Sequence, residues 1–181
     1  MRTFKVELDG SGAYTSLQEA YDACLLLDDD VELLLGEGAF GDLLLTDSYN
    51  PKIKLTGKGA DLSFVGRIYS ESDPGVSVFA YWDGVTVGSV DVPSEGGYGA
   101  TVSVKGTCKI NRINARSERS FGGKVYLNGA SCPDIDIYGG EEPGHIEATG
   151  SELHKISKGC GRCPNKEAVI ILKDGSFIRD E

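Results

Sequence analysis

Several features are scarce or missing in this chain, and each absence excludes a class of protein. No apolar run approaches the roughly 20 residues that a membrane-spanning helix requires, so membrane insertion is not expected. No Asn-x-Ser/Thr acceptor for N-glycosylation occurs. Residues 1–5 lead straight into strand-like sequence, so no secretory signal is expected. The five cysteines are an odd number, which does not divide into a disulfide framework and fits a chain made in a reducing cytosol. Basic residues are in deficit: 18 Lys and Arg stand against 28 Asp and Glu, for a formal net charge of −10. That excess favours solubility and repels the phosphate backbone of nucleic acid, so no nucleic-acid partner is expected. Arg112, Arg116 and Arg119 do cluster, but in so acidic a chain they read as a solvated loop rather than a site for an anionic glycan or lipid.

What is present is an ordinary soluble composition, 40% apolar and 25% charged, which supports a packed core over disorder. The 181 residues suit one domain, 1–181, with residues 1–30 forming an N-terminal strand and cap helix and 31–181 forming rungs. A repeat fixes the architecture. Seven segments open alike, at Val31, Lys52, Val76, Thr101, Lys124, His145 and Ala168, their starts 21, 24, 25, 23, 21 and 23 residues apart. Each begins with a short alternating apolar strand, usually followed by glycine. A second short strand comes next, at 43–45, 62–65, 85–87, 110–113, 135–137, 153–156 and 177–178, and a polar loop closes the segment.

Alternation at period two turns half of each strand inward, and glycine permits the bends between faces. One segment cannot bury its inward face alone; stacking joins those faces into one column. This predicts an all-β fold, a right-handed parallel β-helix of about seven rungs, each a triangular coil of three short strands. A sandwich would need hairpin turns every 8–12 residues or so, and Asn-Gly occurs only at Asn128-Gly129. Residues 16–25 predict a short capping helix, with Thr15 or Ser16 as N-cap and Leu17, Ala20, Tyr21 and Cys24 on one face.

Residues 6–23, running from Val6 through Asp9, Gly10, Ser11, Gly12, Tyr14, Leu17, Gln18, Glu19 and Ala20 to Ala23, resemble the opening of pectinesterases and the same cap in pectate-lyase-like β-helix proteins, including phage tail spikes. The likeness continues more weakly through 36–40 and 53–59, about a third of the chain. It implies the β-helix superfamily and not the chemistry. The aspartate pair, oxyanion glutamine and Leu-Gly-Arg-Pro-Trp-like segment of pectinesterases have no counterpart here, so no catalytic residue is assigned.

Other constellations read as structural. The Gly36–Gly41 segment matches G-x-G-x-x-G but precedes strand-like sequence rather than a helix, so it reads as a rung corner and no cofactor is expected. Cys160 and Cys163 form a C-x-x-C, and Cys108 and Cys132 fall in successive rungs. These four are weak candidates for zinc or a disulfide, with inert thiols the preferred reading. His145 and His154 have no acid or nucleophile beside them. Asp134 and Asp136 alternate with Ile135 and Ile137 and so point outward together. Tyr81, Trp82, Tyr98, Tyr126 and Tyr138 occupy the middle rungs and form the candidate binding stripe, suited to stacking on a sugar or on a neighbouring subunit.

The expectation is a non-catalytic structural or adhesive protein, such as a phage virion component: a capsid decoration, head fibre or tail-spike module, made in host cytoplasm. The resemblance implies a homotrimer, with capsid or tail proteins and a cell-surface glycan as further partners. The alternatives are a lyase or esterase on acidic polysaccharide, using Asp134, Asp136 and Arg112, and a glycan-binding module at a cell surface.

Overall fold

The computed structural model describes residues 1–27, 29–46, 53–70, 77–92, 100–117, 121–157, 159 and 166–179. In chain order, β1 (Arg2–Val6) leads to α1 (Leu17–Leu25), β2 (Val31–Leu35), β3 (Gly38–Ala39) and β4 (Leu43–Leu44). Then come β5 (Ile53–Thr56), β6 (Ser63–Tyr69), β7 (Ser77–Asp83), β8 (Thr86–Asp91), β9 (Thr101–Lys105), β10 (Lys109–Ile110) and β11 (Ile113–Asn114). The last are β12 (Lys124–Asn128), β13 (Cys132–Asp136), β14 (His145–Thr149), β15 (Glu152–Ser157), β16 (Val169–Lys173) and β17 (Phe177–Ile178).

These strands form a parallel β-solenoid. One sheet of eight strands runs β1-β2-β5-β7-β9-β12-β14-β16; the other, of nine, runs β17-β15-β13-β11-β8-β6-β3, with β10 also on β8 and β4 on β6. The described first strands of all seven repeated segments lie in the eight-stranded sheet, and their second strands in the other. One expectation needs correction. The solenoid has about five turns rather than seven rungs. Only the layers opened by β5, β7, β9, β12 and β14 have a neighbour on both sides in both sheets, while β2 and β16 belong to end layers. Three short strands are seen in the layers opened by β2 (β2, β3, β4) and by β9 (β9, β10, β11), with β6 pairing both β3 and β4 and β8 pairing both β10 and β11.

Register makes the core a set of columns. Val78, Val102, Val125, Ile146 and Ile170 stack inward along the eight-stranded sheet. Ile68, Val90, Ile113, Ile135 and Ile156 stack along the other. Fully burying one such side chain contributes about 1.5–3 kcal/mol, so the columns supply most of what offsets the ordering of the chain. The glycine after a strand is needed where the path turns. Gly106 has φ 109°, and a Cβ there would fall on the Trp82 carbonyl oxygen of the layer below.

The first end of the column is sealed. Ser16 caps α1, its hydroxyl accepting from the Glu19 N–H, and Leu17, Ala20, Tyr21 and Cys24 are its buried face, as their spacing predicts. Phe4 stacks edge-on against Tyr14 at 5.9 Å. Backbone edges are closed as well. The N–H groups of Ala13 and Tyr14 donate to the Lys5 carbonyl at 2.9 and 3.2 Å, and the Glu7 N–H donates to the Tyr14 carbonyl at 2.9 Å, covering the last part of the free side of β1. Gln18 does the same for β4: its Oε1 accepts from the Leu44 N–H at 2.8 Å and its Nε2 donates to the Leu44 carbonyl at 3.1 Å. Gln18 belongs to the segment that carries the cap resemblance, but apolar periodicity gives it no role.

Trp82 is 3% exposed, whereas Tyr81 beside it is 42% exposed. Adjacent strand residues face opposite ways, so the two cannot share an outer stripe. The expectation that placed Trp82 on it is corrected: the indole is core, in the column of Leu33 and Leu55. Trp82→Ala is expected to cost about 3–5 kcal/mol in urea unfolding and Tyr81→Ala no more than about 0.5 kcal/mol. Wild-type tryptophan emission is expected to be blue-shifted and poorly quenched by acrylamide. Gln18→Ala is expected to cost about 1–3 kcal/mol by leaving the Leu44 amide unpaired.

Candidate functional site

The outer face of the eight-stranded sheet carries the candidate site. Phe79, Ser103, Tyr126, Glu147 and Ile171 form one outward column; Glu32, Lys54, Tyr81, Lys105, Asn128, Thr149 and Lys173 form the column beside it. A half-open groove of ≈ 450 Å³ lies between Phe79, Ala80, Tyr81, Ser103 and Lys105. A smaller hollow of ≈ 150 Å³ follows it along the stacking axis, bounded in part by Lys105, Tyr126, Asn128 and Glu147. The rings of Phe79 and Tyr81 are 39% and 42% exposed. Lys105, exposed between the two hollows, has no ion-pair partner among the described residues.

The charges flanking this groove are tied down. Glu32 Oε1 accepts from Thr56 Oγ1 at 2.8 Å and pairs with Lys54 Nζ at 3.1 Å. The Thr56 hydroxyl and then Lys54 hold the Glu32 carboxyl below the ordinary value of 4.5. Its hydrogen bond to Glu32 holds Lys54 above 10.5. The Lys54 ammonium lies 4.8 Å from the centre of the Tyr81 ring, a cation–π arrangement that fixes the ring's position. Asp83 accepts from the hydroxyl of Thr107, which lowers its pKa from 3.8. The arrangement offers ring faces, a free ammonium, hydroxyl and amide donors, and carboxylates held ionised.

Of the stripe expected from sequence, only Tyr81 and Tyr126 face outward on this sheet. Tyr126 is half-buried, its ring 5.7 Å from His145. Tyr138 follows β13 at the edge of the other sheet, its N–H donating to Asp136 Oδ1 at 3.1 Å. Tyr98 lies outside the described residues. Phe79, Ser103 and Lys105 were missed; Phe79 stands two places before Tyr81, so alternation gives it the same face.

The other sequence candidates fall elsewhere. Asp134 and Asp136 do face outward on the nine-stranded sheet, Asp134 Oδ2 standing 3.6 Å from Arg112 Nε. His154 Nε2 lies 3.1 Å from Glu152 Oε1, which also meets Arg179 at 2.8 Å. The Gly36–Gly41 segment sits at a corner containing β3, where the Ser63 hydroxyl donates to the Gly36 carbonyl at 2.6 Å. Cys108 and Cys132 are free and buried in adjacent layers. Burial pushes both thiols up to about 12. Cys160, Cys163 and Arg119 lie outside the described residues. No group of three His, Cys, Asp or Glu that would hold a metal comes together among the described residues.

No protein-family model matches the chain, and neither the curated proteins nor the solved structures contain a match to it.

Glu32 and Asp83 have folded pKa values below their ordinary ones, so their contribution to stability is full above about pH 4.5 and is lost as pH falls through the folded values. Acid unfolding followed by circular dichroism is therefore expected to show a shallower pH dependence below pH 4.5 for Glu32→Gln than for the wild type. Thiol mapping with a maleimide is expected to leave Cys24, Cys108 and Cys132 unlabelled in the native protein and to label them in denaturant.

Proposed function

We propose that this chain is a non-catalytic structural or adhesive β-solenoid, a part of a virion exterior such as a capsid decoration, head fibre or tail-spike module. Within that reading, the cap resemblance supports a kinship with the pectate-lyase-like β-helices. The observation that carries the proposal is how the outer charges are used. Lys54 pairs back to Glu32, Lys109 to Asp61, Lys166 to Glu142, Lys173 to Glu147 and Arg179 to Glu152, while Arg67 pairs forward to Asp91 and Arg112 to Asp134. All but one of these pairs join one layer to the next, Lys109 reaching two layers back to Asp61, instead of converging on a reacting centre. Exposed pairs contribute at most about 1 kcal/mol each, but repeated along an axis they resist shear between layers. The net charge of −10 then leaves an acidic exterior, suited to the outside of a particle.

The test is fractionation. An antibody against the chain, applied to density-gradient fractions of the source culture, is expected to find it co-sedimenting with assembled particles. Recovery only as free soluble protein overturns the reading.

The groove favours one further reading, a glycan-binding module, because Phe79 and Tyr81 present ring faces beside the unpaired Lys105. Under that reading a glycan array gives retained ligands without turnover, and Tyr81→Ala weakens retention at least several-fold.

A further inference from the structure

The outer face of the eight-stranded sheet dips over β9. Ser103 is flanked in register by Phe79 in the layer before and Tyr126 in the layer after, so one small side chain separates two rings. Layers stack about 4.8 Å apart, which sets the two ring-bearing positions roughly 9.6 Å from each other across Ser103. A third ring standing between them would lie about 4.8 Å from each, inside the 4.5–7 Å or so that offset-stacked rings prefer. Both hollows of this face reach Ser103 and Lys105, one bounded by Phe79 and Tyr81 and the other by Tyr126 and Asn128. Tyr126 is backed by His145 of the following layer, with ring centres 5.7 Å apart.

Charge marks the two ends of this slot. Lys105 lies two residues after Ser103 on β9, and Lys124 stands opposite Thr101, two residues before it. Both lysines are exposed, and neither has an ion-pair partner among the described residues. Lys54 and Lys173 of the same face are by contrast neutralised by Glu32 and Glu147. Asp83, two residues beyond Tyr81, accepts from the Thr107 hydroxyl instead of pairing with Lys105.

We propose that this slot takes an extended acidic and aromatic segment of a partner protein, its ring between Phe79 and Tyr126 and its carboxylates on Lys105 and Lys124. Periodicity and charge select that partner. Side chains two apart on an extended chain point the same way at a spacing of about 6.6–6.8 Å, and Thr101, Ser103 and Lys105 are spaced alike. A segment patterned acid-x-aromatic-x-acid, laid along β9, therefore meets all three positions at once, and Lys124 reaches its end from the neighbouring layer. Asn128, exposed opposite Lys105, adds an amide donor for the same carboxylate. Burial and stacking of the ring supply affinity; the exposed ion pairs fix register and the sign of the partner's charge. The slot overlaps the groove of the glycan reading but does not rest on that reading.

Titration of the isotope-labelled intact chain with the blocked peptide Thr-Glu-Thr-Phe-Thr-Glu-Thr, followed by amide NMR shifts, tests the proposal. Expected is saturable binding with the largest shifts on β7, β9 and β12. Replacing the peptide's Phe by Ala is expected to weaken binding about tenfold or more, and replacing both Glu by Gln several-fold, the second loss vanishing at high salt. Ser103→Phe fills the slot from within and is expected to abolish binding while circular dichroism and the urea midpoint stay as in the wild type. Lys105→Glu combined with Lys124→Glu is expected to reverse the preference, so that a peptide with Lys in place of Glu binds better. The absence of a saturable shift, equal binding of the Glu and Gln peptides at low salt, or binding unchanged by Ser103→Phe overturns the proposal. So does a response of these residues to acidic oligosaccharides but not to the peptide, which leaves the groove to the glycan reading. None of these outcomes depends on where the protein acts, so failure here leaves the particle-exterior reading to its own test.

Discussion

Every layer of this protein depends on the parallel ladder of backbone hydrogen bonds that runs along the stacking axis. A single turn of about 23 residues has no second layer to pack on and exposes both strand edges, so it has no stability of its own. Stacked in register, the same turn shares its edges with two neighbours and adds one side chain to each inward column. Net backbone hydrogen bonds contribute only about 0.5–1.5 kcal/mol each, less than the 1.5–3 kcal/mol or so of a buried Ile or Val. The ladder therefore sets the geometry, and the columns supply the larger part of the stability. Outer-face charges follow from the same geometry, since in-register stacking brings Glu32 beside Lys54 and sets Lys173 diagonally within reach of Glu147.

A stacked ladder makes its two ends the weak points, because each leaves a row of unpaired N–H and C=O groups. The chain resolves one end by spending its first 27 residues on it. The helix buries an apolar face over the column, a short return covers β1, and one glutamine amide stands in for a strand on β4. No such device follows the last layer among the described residues.

Much of this was legible in the primary structure. The seven strand starts, the second strands and the four-residue buried face of α1 all follow from apolar periodicity, because burial acts directly on residue type. The aromatic stripe was legible only in part. Tyr81 and Trp82 are both aromatic, and composition alone groups them; alternation within Val78, Phe79, Ala80, Tyr81 and Trp82 already separates them, and it also points to Phe79. Lys105 was not legible, because a lysine at the end of a strand looks the same in sequence whether or not an acid stands opposite it in the next layer.

The sequence by itself determined the class of fold, the cap, and which residues turn inward, since those depend on local periodicity and on a repeat length that few architectures accommodate. Tertiary structure decided the number of complete turns, the arrangement in two sheets, and which outer side chains meet. Those depend on register between strands more than 20 residues apart, and a shift of one residue would exchange every inward side chain for an outward one. The groove at Phe79, Tyr81 and Lys105 exists only because two layers place their outward residues side by side.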